Sequence, residues 1–425
     1  MRVHRFIQFG SETSDIEEGA DAMNAAPLPA PLGIIEIPRT FTVTAVCTAT
    51  ACKLRIVAAS DLRLDRLGSG PKASMGSLYH ALIYEWALSG DTDPVSFFDT
   101  LTAAWDEELR QNPRTAHQAP LRATMNAVDW ISFRRKALAA MARARIPTVA
   151  TAAPAAGDSA AVLAASTGAG GGCSFAGRSL STQREKMFES ETLRLRGKPD
   201  LVRRRSPKDI EIRDFKSGVI WQGDGRLKES IVLQMYAYGL LIDERERGAE
   251  IELVVDDGEG VAVPFDRENR VRVRNMFAGL LSGLEAGKRV NAEELASPGA
   301  DCGTCAIRHL CPAYRAAAPL WWRTFPKASE RIPHDTWGSI TGVETSSSGV
   351  RIRLADAAGR SVQIDNLDAR HGFGTDDVGR YVWFFGLTVR GYGRSPDGIR
   401  FQPHNFFELP RDGGDRRAWT VEVYS

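Results

Sequence analysis

Residues 191–216 read ETLRLRGKPDLVRRRSPKDIEIRDFK. Two β-rich runs, 191–196 and 200–205, flank a Gly-Lys-Pro turn, and a third run at 209–216 follows. Short runs punctuated by Gly and Pro predict antiparallel strands that open a mixed sheet. Side chains alternate across a strand, so Ile210, Ile212, Asp214 and Lys216 share one face. That face is an apolar stripe ending in a carboxylate and an amine. An isolated Asp-x-Lys is usually a plain ion pair. Here Asp200, on the neighbouring predicted strand, brings a second carboxylate to the same sheet edge.

Downstream, a helix is expected over 227–247, strands over 250–255 and 260–265, and another helix over 266–288, which makes an α/β core. Upstream, 39–145 reads as a helical block, with segments at 42–61 and 73–88 and others after Pro94 and Pro120. The small-residue stretch 150–172 is expected to be a flexible insertion, and the Ala- and Pro-rich residues 1–37 a loose leader. After Trp337 five short runs at 337–343, 349–354, 360–365, 380–390 and 399–409 predict a small all-β barrel. The expected division is therefore 1–37, 38–318 and 330–425.

Composition bounds the function. The 425 residues carry 54 Lys and Arg against 53 Asp and Glu, with 43% hydrophobic residues, which excludes global disorder and a polybasic protein. A neutral total still permits a local basic groove. The chain lacks an apolar run of membrane-spanning length and a signal-peptide pattern at its N-terminus, so a soluble cytoplasmic protein with no membrane partner is expected. Six cysteines are too few for a disulfide scaffold, but Cys302, Cys305 and Cys311 cluster before Pro312 in a pattern that suits a metal.

The acids suggest a chemistry. Mg²⁺ and Mn²⁺ want oxygen ligands, and phosphodiester hydrolysis needs an activated water plus charge neutralisation at the phosphate. Asp200 and Asp214 suit the first need and Lys216 the second. In GSLYH, Gly76 and His80 lie four residues apart on one helical face, and His80 offers a nitrogen ligand that favours Mn²⁺ somewhat. In QMYAY, Gln234 and Tyr238 have the same spacing on the helix after the lysine strand.

The ordered set Gly-x-x-x-His, Gly-x-x-Asp, Asp-x-Lys and Gln-x-x-x-Tyr resembles the RecB-like branch of the PD-(D/E)XK nuclease superfamily over roughly residues 40–315. The resemblance implies a restriction-endonuclease-like mixed-sheet core. In it His80, Asp200, Asp214 and the Phe215 carbonyl bind Mg²⁺ or Mn²⁺, and Lys216 is catalytic. Gln234 and Tyr238 match the motif that follows the active site. Glu85 and Glu191 are expected to be surface charges.

Cys302-x2-Cys305-x5-Cys311 needs a fourth ligand, and Cys52 in ACKLR is the best candidate, with Cys47 as the alternative. The order, one cysteine before the core and three after it, resembles AddB-type recombination nucleases and iron-sulfur CRISPR-associated nucleases. That implies a structural 4Fe-4S cluster, with four-thiolate zinc as the competing metal.

Arg194, Arg196, Arg203, Arg204 and Arg205 surround the expected metal site and suit phosphate attraction; an ordinary solvated strand face is the competing reading. The terminal β region resembles an oligonucleotide-binding (OB) barrel. Its segment YVWFFGLTVRGYGR interleaves aromatics with cations, and Trp383, Phe385 and Arg390 are candidates for contacting single-stranded DNA, unless the aromatics form the barrel core. The resulting expectation is a metal-dependent DNase, an exonuclease acting on DNA that is single-stranded or has a free end, in repair or defence against foreign DNA. The chain has no Walker A sequence, so a helicase or defence complex would be a partner. The alternative is a non-catalytic nucleic-acid-binding or scaffolding subunit that retains the fold.

Overall fold

The computed structural model describes residues 29–48, 52–61, 63–64, 66–67, 71–111, 127–144, 182–299, 302–303, 305–321, 334–346, 349–355, 361–367, 371–389, 399–403, 406–407, 417–418 and 422–424. The expected insertion 150–172, most of the expected leader and Arg390 lie outside them.

In chain order the elements are β1 (Ile34–Glu36), β2 (Phe41–Thr42), α1 (Val43–Thr48), α2 (Lys53–Ser60), α3 (Pro71–Leu88), α4 (Pro94–Gln111) and α5 (Ala127–Ala144). Then come β3 (Thr182–Arg184), β4 (Phe188–Ser190), β5 (Leu195–Gly197), β6 (Leu201–Ser206), β7 (Asp209–Phe215), α6 (Glu229–Arg245), β8 (Glu250–Asp256), β9 (Val261–Val263) and α7 (Arg267–Leu280). The remainder is β10 (Arg289–Asn291), α8 (Ala292–Leu295), α9 (Pro312–Trp321), β11 (His334–Ser346), β12 (Gly349–Ala355), β13 (Ser361–Leu367), β14 (Tyr381–Val389), β15 (Ile399–Pro403), β16 (Phe406–Phe407), β17 (Arg417–Ala418) and β18 (Glu422–Tyr424).

The central sheet runs β3-β6-β7-β8-β9. β6 and β7 pair antiparallel, whereas β7 and β8 are parallel in register from Asp209 with Glu250 to Phe215 with Asp256. A parallel pair requires a crossover, and α6 supplies it. α6 can lie flat on the sheet because its sequence from Leu233 to Ile242 is almost continuously apolar and buried. Ile210, Ile212, Leu253 and Val255 meet α6 and α7 in one core, while Leu201 and Phe215 meet α3, α4 and α5 in another. The sheet is thus covered on both faces. Each fully buried Leu, Ile or Phe in such a layer contributes about 1.5–3 kcal/mol.

One local expectation is corrected. The run 191–196 does not form one strand paired with 200–205. Residues 191–194 are a turn, because Arg194 sits at φ 54°, in the left-handed region that breaks a strand. β5 joins a separate sheet, β2-β5-β4, and the Gly-Lys-Pro turn carries the chain from that sheet into the central one.

At the C-terminus β11, β12, β13, β15 and β14 are hydrogen-bonded in that order, and β14 pairs back onto β11, so the five strands close on themselves. The β13–β15 pairing is parallel and the others antiparallel. Ile352, Leu354, Ile364, Val382, Phe384 and Leu387 fill this interior. A further cluster joins Leu54, Ala58 and the cysteine segment to Trp337 and Phe385 on the outside of the closed sheet. Among the described residues no helix is long and apolar enough to cross a membrane.

Candidate active site

β7 delivers the first two groups. Its strand alternation sends Ile210 and Ile212 toward α6, and the same face ends with Asp214, buried at 2% exposure, and Lys216 just past the strand. The Lys216 N–H donates to the Asp256 carbonyl at 2.8 Å, which fixes the backbone where the strand ends. The ammonium lies 2.7 Å from Asp214 Oδ2 and donates to Gln234 Oε1 at 3.0 Å.

α6 delivers Gln234 and Tyr238. Spaced four apart, they face the same way, and Gln234 Nε2 donates to the Tyr238 hydroxyl at 2.9 Å and reaches Asp214 Oδ1 at 3.5 Å. This close approach depends on Gly197, where a Cβ would come within 2.7 Å of Tyr238 Cε1 and 2.8 Å of Val43 Cγ2.

Asp200 stands at the entry to β6. Its Oδ2 accepts the Phe215 N–H at 2.6 Å, and its Oδ1 lies 3.1 Å from His80 Nδ1 on α3. One carboxylate therefore orients the histidine and pins the Phe215 peptide. His80, Asp200, Asp214, Lys216, Gln234 and Tyr238 come from α3, the start of β6, β7 and α6, and the fold gathers them as the sequence predicts. His80 and Asp200 border a cavity together with Tyr84, Arg184, Glu185 and Phe215.

The electrostatics follow from burial. Desolvation raises the Asp214 pKa; Lys216 works against this and Asp200 adds to it. Burial alone would lower the Lys216 and His80 values. Asp214 more than offsets this for the lysine and Asp200 for the histidine, so both are raised. Two acids, an imidazole and an amine thus share a poorly solvated space in which two carboxylates press on each other. Among the described residues no three His, Cys, Asp or Glu side chains form a ready-made coordination shell. The donor set itself, two carboxylates and one imidazole, suits a hard divalent cation.

Sequence reasoning missed several neighbours. Cys47 on α1 is buried near the lysine; burial pushes its thiol up to about 12, with Lys216 acting in the opposite direction. Glu185, at φ 46°, donates its N–H to the Asp200 carbonyl at 3.1 Å, and its carboxylate pairs with Lys198 at 2.6 Å. Glu85 is half-buried, its carboxyl raised by burial and by Glu185, while Glu191 is exposed. The sequence reads Cys47 as an alternative cluster ligand, Glu85 as a surface charge and Lys198 as part of the Gly-Lys-Pro turn, and only the fold brings them to this neighbourhood. On the opposite face of β7 a buried ladder of charges runs from Glu211 through Arg213 to Asp256. Arg213 reaches Glu211 at 2.7 Å and Asp256 at 2.5 Å, and Arg143 grips Asp256 with two bonds of 2.8 Å.

The five arginines expected to attract phosphate are committed elsewhere. Arg194 donates to the Leu284 and Pro38 carbonyls and lies over the Phe41 ring. Arg196 donates to Ser60 O at 2.7 Å, and Arg203 to Arg143 O at 3.4 Å. Arg204 pairs with Glu246 at 2.8 Å, and Arg205 with Glu211 and Glu252. They bind the chain to itself because the carbonyls and carboxylates of neighbouring segments lie within their reach. Phe385 is likewise buried, with Arg308 5.6 Å from its ring centroid and His309 edge-on. Trp383 stacks between Trp337, at 4.4 Å, and Phe385. These aromatics fill neither the barrel interior nor an open stacking surface; they attach the barrel to the cysteine segment.

Cys52, Cys302, Cys305 and Cys311 fall in that same cluster, whereas Cys47 belongs to the core under α6. The Cys311 thiol is pushed up to about 11, by burial first, with Cys305, Cys52 and Cys302 adding to the rise. Backbone N–H groups of Gly299 and Tyr314 donate to the Cys302 and Cys311 sulfurs at 3.4 Å, which is how proteins orient metal-binding thiolates.

The family model of the PD-(D/E)XK nuclease superfamily matches residues 40–312, nearly two thirds of the chain and every group gathered above. No curated protein matches it.

Proposed function

Since the chain belongs to the PD-(D/E)XK nuclease superfamily, whose members are generally metal-dependent nucleases, we propose that it is a metal-dependent DNase with its site at the end of β7. The observation that carries this reading is the Asp214–Lys216–Gln234 chain of contacts beside the Asp200–His80 pair. His80, Asp200, Asp214 and the Phe215 carbonyl would hold Mg²⁺ or Mn²⁺. When bound, the cation supplies an activated water and neutralises phosphate charge.

The protein's own groups do the rest. Lys216 presents a fixed ammonium where negative charge accumulates on the phosphoryl oxygens in the transition state. Gln234, braced by Tyr238, holds the ammonium in place without cancelling its charge. Asp200 orients the His80 ring. Phe215 and Ile83 form apolar walls beside His80 and Asp200, which limits water there and strengthens the Asp200–His80 interaction.

We extend the reading to DNA that is single-stranded or has a free end, to exonucleolytic cutting, and to repair or defence, the last by resemblance alone. The strand order β11-β12-β13-β15-β14 closed onto β11 supports an OB-like barrel as a guide for the strand. Because Phe385 is enclosed, the guide surface would be another face of that barrel. Cys52, Cys302, Cys305 and Cys311 are proposed to hold a 4Fe-4S cluster that staples the region before the core to the region after it; zinc is the competing metal.

Incubating anaerobically purified protein with end-labelled single- and double-stranded DNA in Mg²⁺ or Mn²⁺ tests the proposal. Cleavage that a chelator stops supports it, and the labelled products give polarity. A folded protein that cuts nothing would return the chain to a binding role.

A further inference from the structure

Lys216 and the start of α6 are joined by residues 217–228, SGVIWQGDGRLK, which form a hairpin-like turn. Gln222 N donates to Arg226 O at 2.7 Å, Lys228 N to Ile220 O at 2.9 Å, and Trp221 and Leu227 form an isolated bridge. Ile220, 1% exposed, and Leu227 turn inward and anchor the turn in the core under α6. Trp221 is 41% exposed and outside that core, with Val219 beside it at 69%. An anchored turn that leaves two fifths of its largest apolar ring in solvent gains less from that ring than full burial would give.

Position gives the ring a use. The turn begins at the residue after the lysine and ends six residues before Gln234, so both its ends are fixed by the active site. Ser217 Oγ lies 3.8 Å from where a Cβ on Gly76 would be, against the helix that carries His80. Two cations accompany the ring. Among the described residues Arg226, 80% exposed, pairs with Asp224 in the same turn, and Lys228 donates to the Val219 carbonyl. An exposed ion pair of that kind contributes little, so Arg226 can exchange Asp224 for a phosphate at small cost. An exposed indole on a turn that also carries cations is the chemistry that binds single-stranded nucleic acid, the ring stacking on a base while cations follow the backbone.

We propose that the 217–228 turn is a substrate-binding element of the nuclease site, with Trp221 stacking on a base of the strand next to the scissile phosphate. The inference rests on the nuclease reading. Stacking tolerates any base, so the element fixes the path and register of the strand without selecting sequence.

Four readouts on the whole chain test this. Trp221→Ala is expected to weaken binding of a fluorescein-labelled oligo(dT), measured by anisotropy in the Lys216→Ala background, about 10-fold, the effect of losing one base–aromatic stack. Trp221→Phe is expected to stay within about twofold of the parent, since a phenyl ring still stacks. On an abasic oligonucleotide of equal length the Trp221→Ala change is expected to cost nothing, because no base is present to stack. In the cleaving protein KM rises with the binding loss and kcat changes less. Equal binding by parent and Trp221→Ala, an equal loss on abasic and normal strands, or a Phe variant as weak as the Ala variant overturns the proposal. If wild type cuts DNA while Trp221→Ala is unaffected, this inference alone fails; if wild type neither cuts nor binds, the nuclease reading fails with it.

Discussion

Two buried acid–base pairs, Asp214 with Lys216 and Asp335 with Arg308, are built from the same chemistry and differ in how completely they are closed. Asp335 on β11 receives Arg308 Nε at 2.7 Å and Nη2 at 3.0 Å, the Tyr314 hydroxyl, and the Gly386 N–H at 3.0 Å. Arg308 also donates to Cys305 O at 3.1 Å. Burial works to lower the Arg308 pKa, and Asp335 more than offsets it. This pair is a joint: a planar guanidinium from the cysteine segment clamps a carboxylate from the barrel. Around Asp214, one lysine faces two nearby carboxylates and a histidine, and burial raises the acid's pKa. That pair is under electrostatic strain, which is how catalytic groups are commonly set apart from structural ones.

Removing one partner of each pair tests the contrast. Asp335→Ala leaves Arg308 buried without its carboxylate and is expected to cost about 3–5 kcal/mol in urea-induced unfolding. The loss should be largest where the barrel meets the cysteine segment, seen as faster hydrogen exchange in β11 and α9. Asp214→Asn should do the reverse. Cleavage falls about 100- to 1000-fold, as when one transition-state contact is lost, while the Tm changes little, because loss of a disfavoured buried carboxylate offsets loss of the ammonium's main partner. A large fall in Tm would place Asp214 among the structural pairs.

Gly197→Ala probes the packing that lets Gln234 and Tyr238 reach the lysine. With 2.7 Å available to the new methyl, α6 must shift, and about 1–3 kcal/mol of stability should be lost together with activity. The smallest effect expected is on acid stability. Glu211 and Asp256 have folded pKa values below the unfolded ones, against the raising effect of burial, because of Arg213 and Arg143. They therefore stabilise the fold above their unfolded pKa, near 4, and this contribution is lost as pH falls through their lower folded values. Asp214 has the opposite sign, since protonating it relieves a cost. Glu211→Gln is expected to flatten the stability–pH curve below about pH 4, and Asp214→Asn to leave the acid limb unflattened.

Much of the site was legible because it depends on local periodicity. Period-two alternation in 209–216 and the four-residue spacing in Gln234 and Tyr238 already fix which face each side chain takes. The mixed α/β character and the late β-rich region were legible for the same reason. What could not be read is set by contacts distant in sequence. The arginines of 194–205 looked like a phosphate-binding patch, but their partners, such as Glu246, Glu252 and Leu284, come from segments whose positions only the fold defines. Trp383 and Phe385 show the outward alternation of a binding surface, and nothing local announces that Arg308 and His309 will cover it. The left-handed Arg194 likewise has no signature in the sequence, so one strand was expected where the chain turns.

The most direct test of the central claim is cleavage of end-labelled single-stranded DNA in Mn²⁺ by Lys216→Ala beside wild type, at matched Tm and matched DNA binding. Metal-dependent cleavage by wild type and about 1000-fold less by the variant, with folding and binding intact, is the predicted result. Equal cleavage by both proteins would contradict the assignment of Lys216 and of the site built around it.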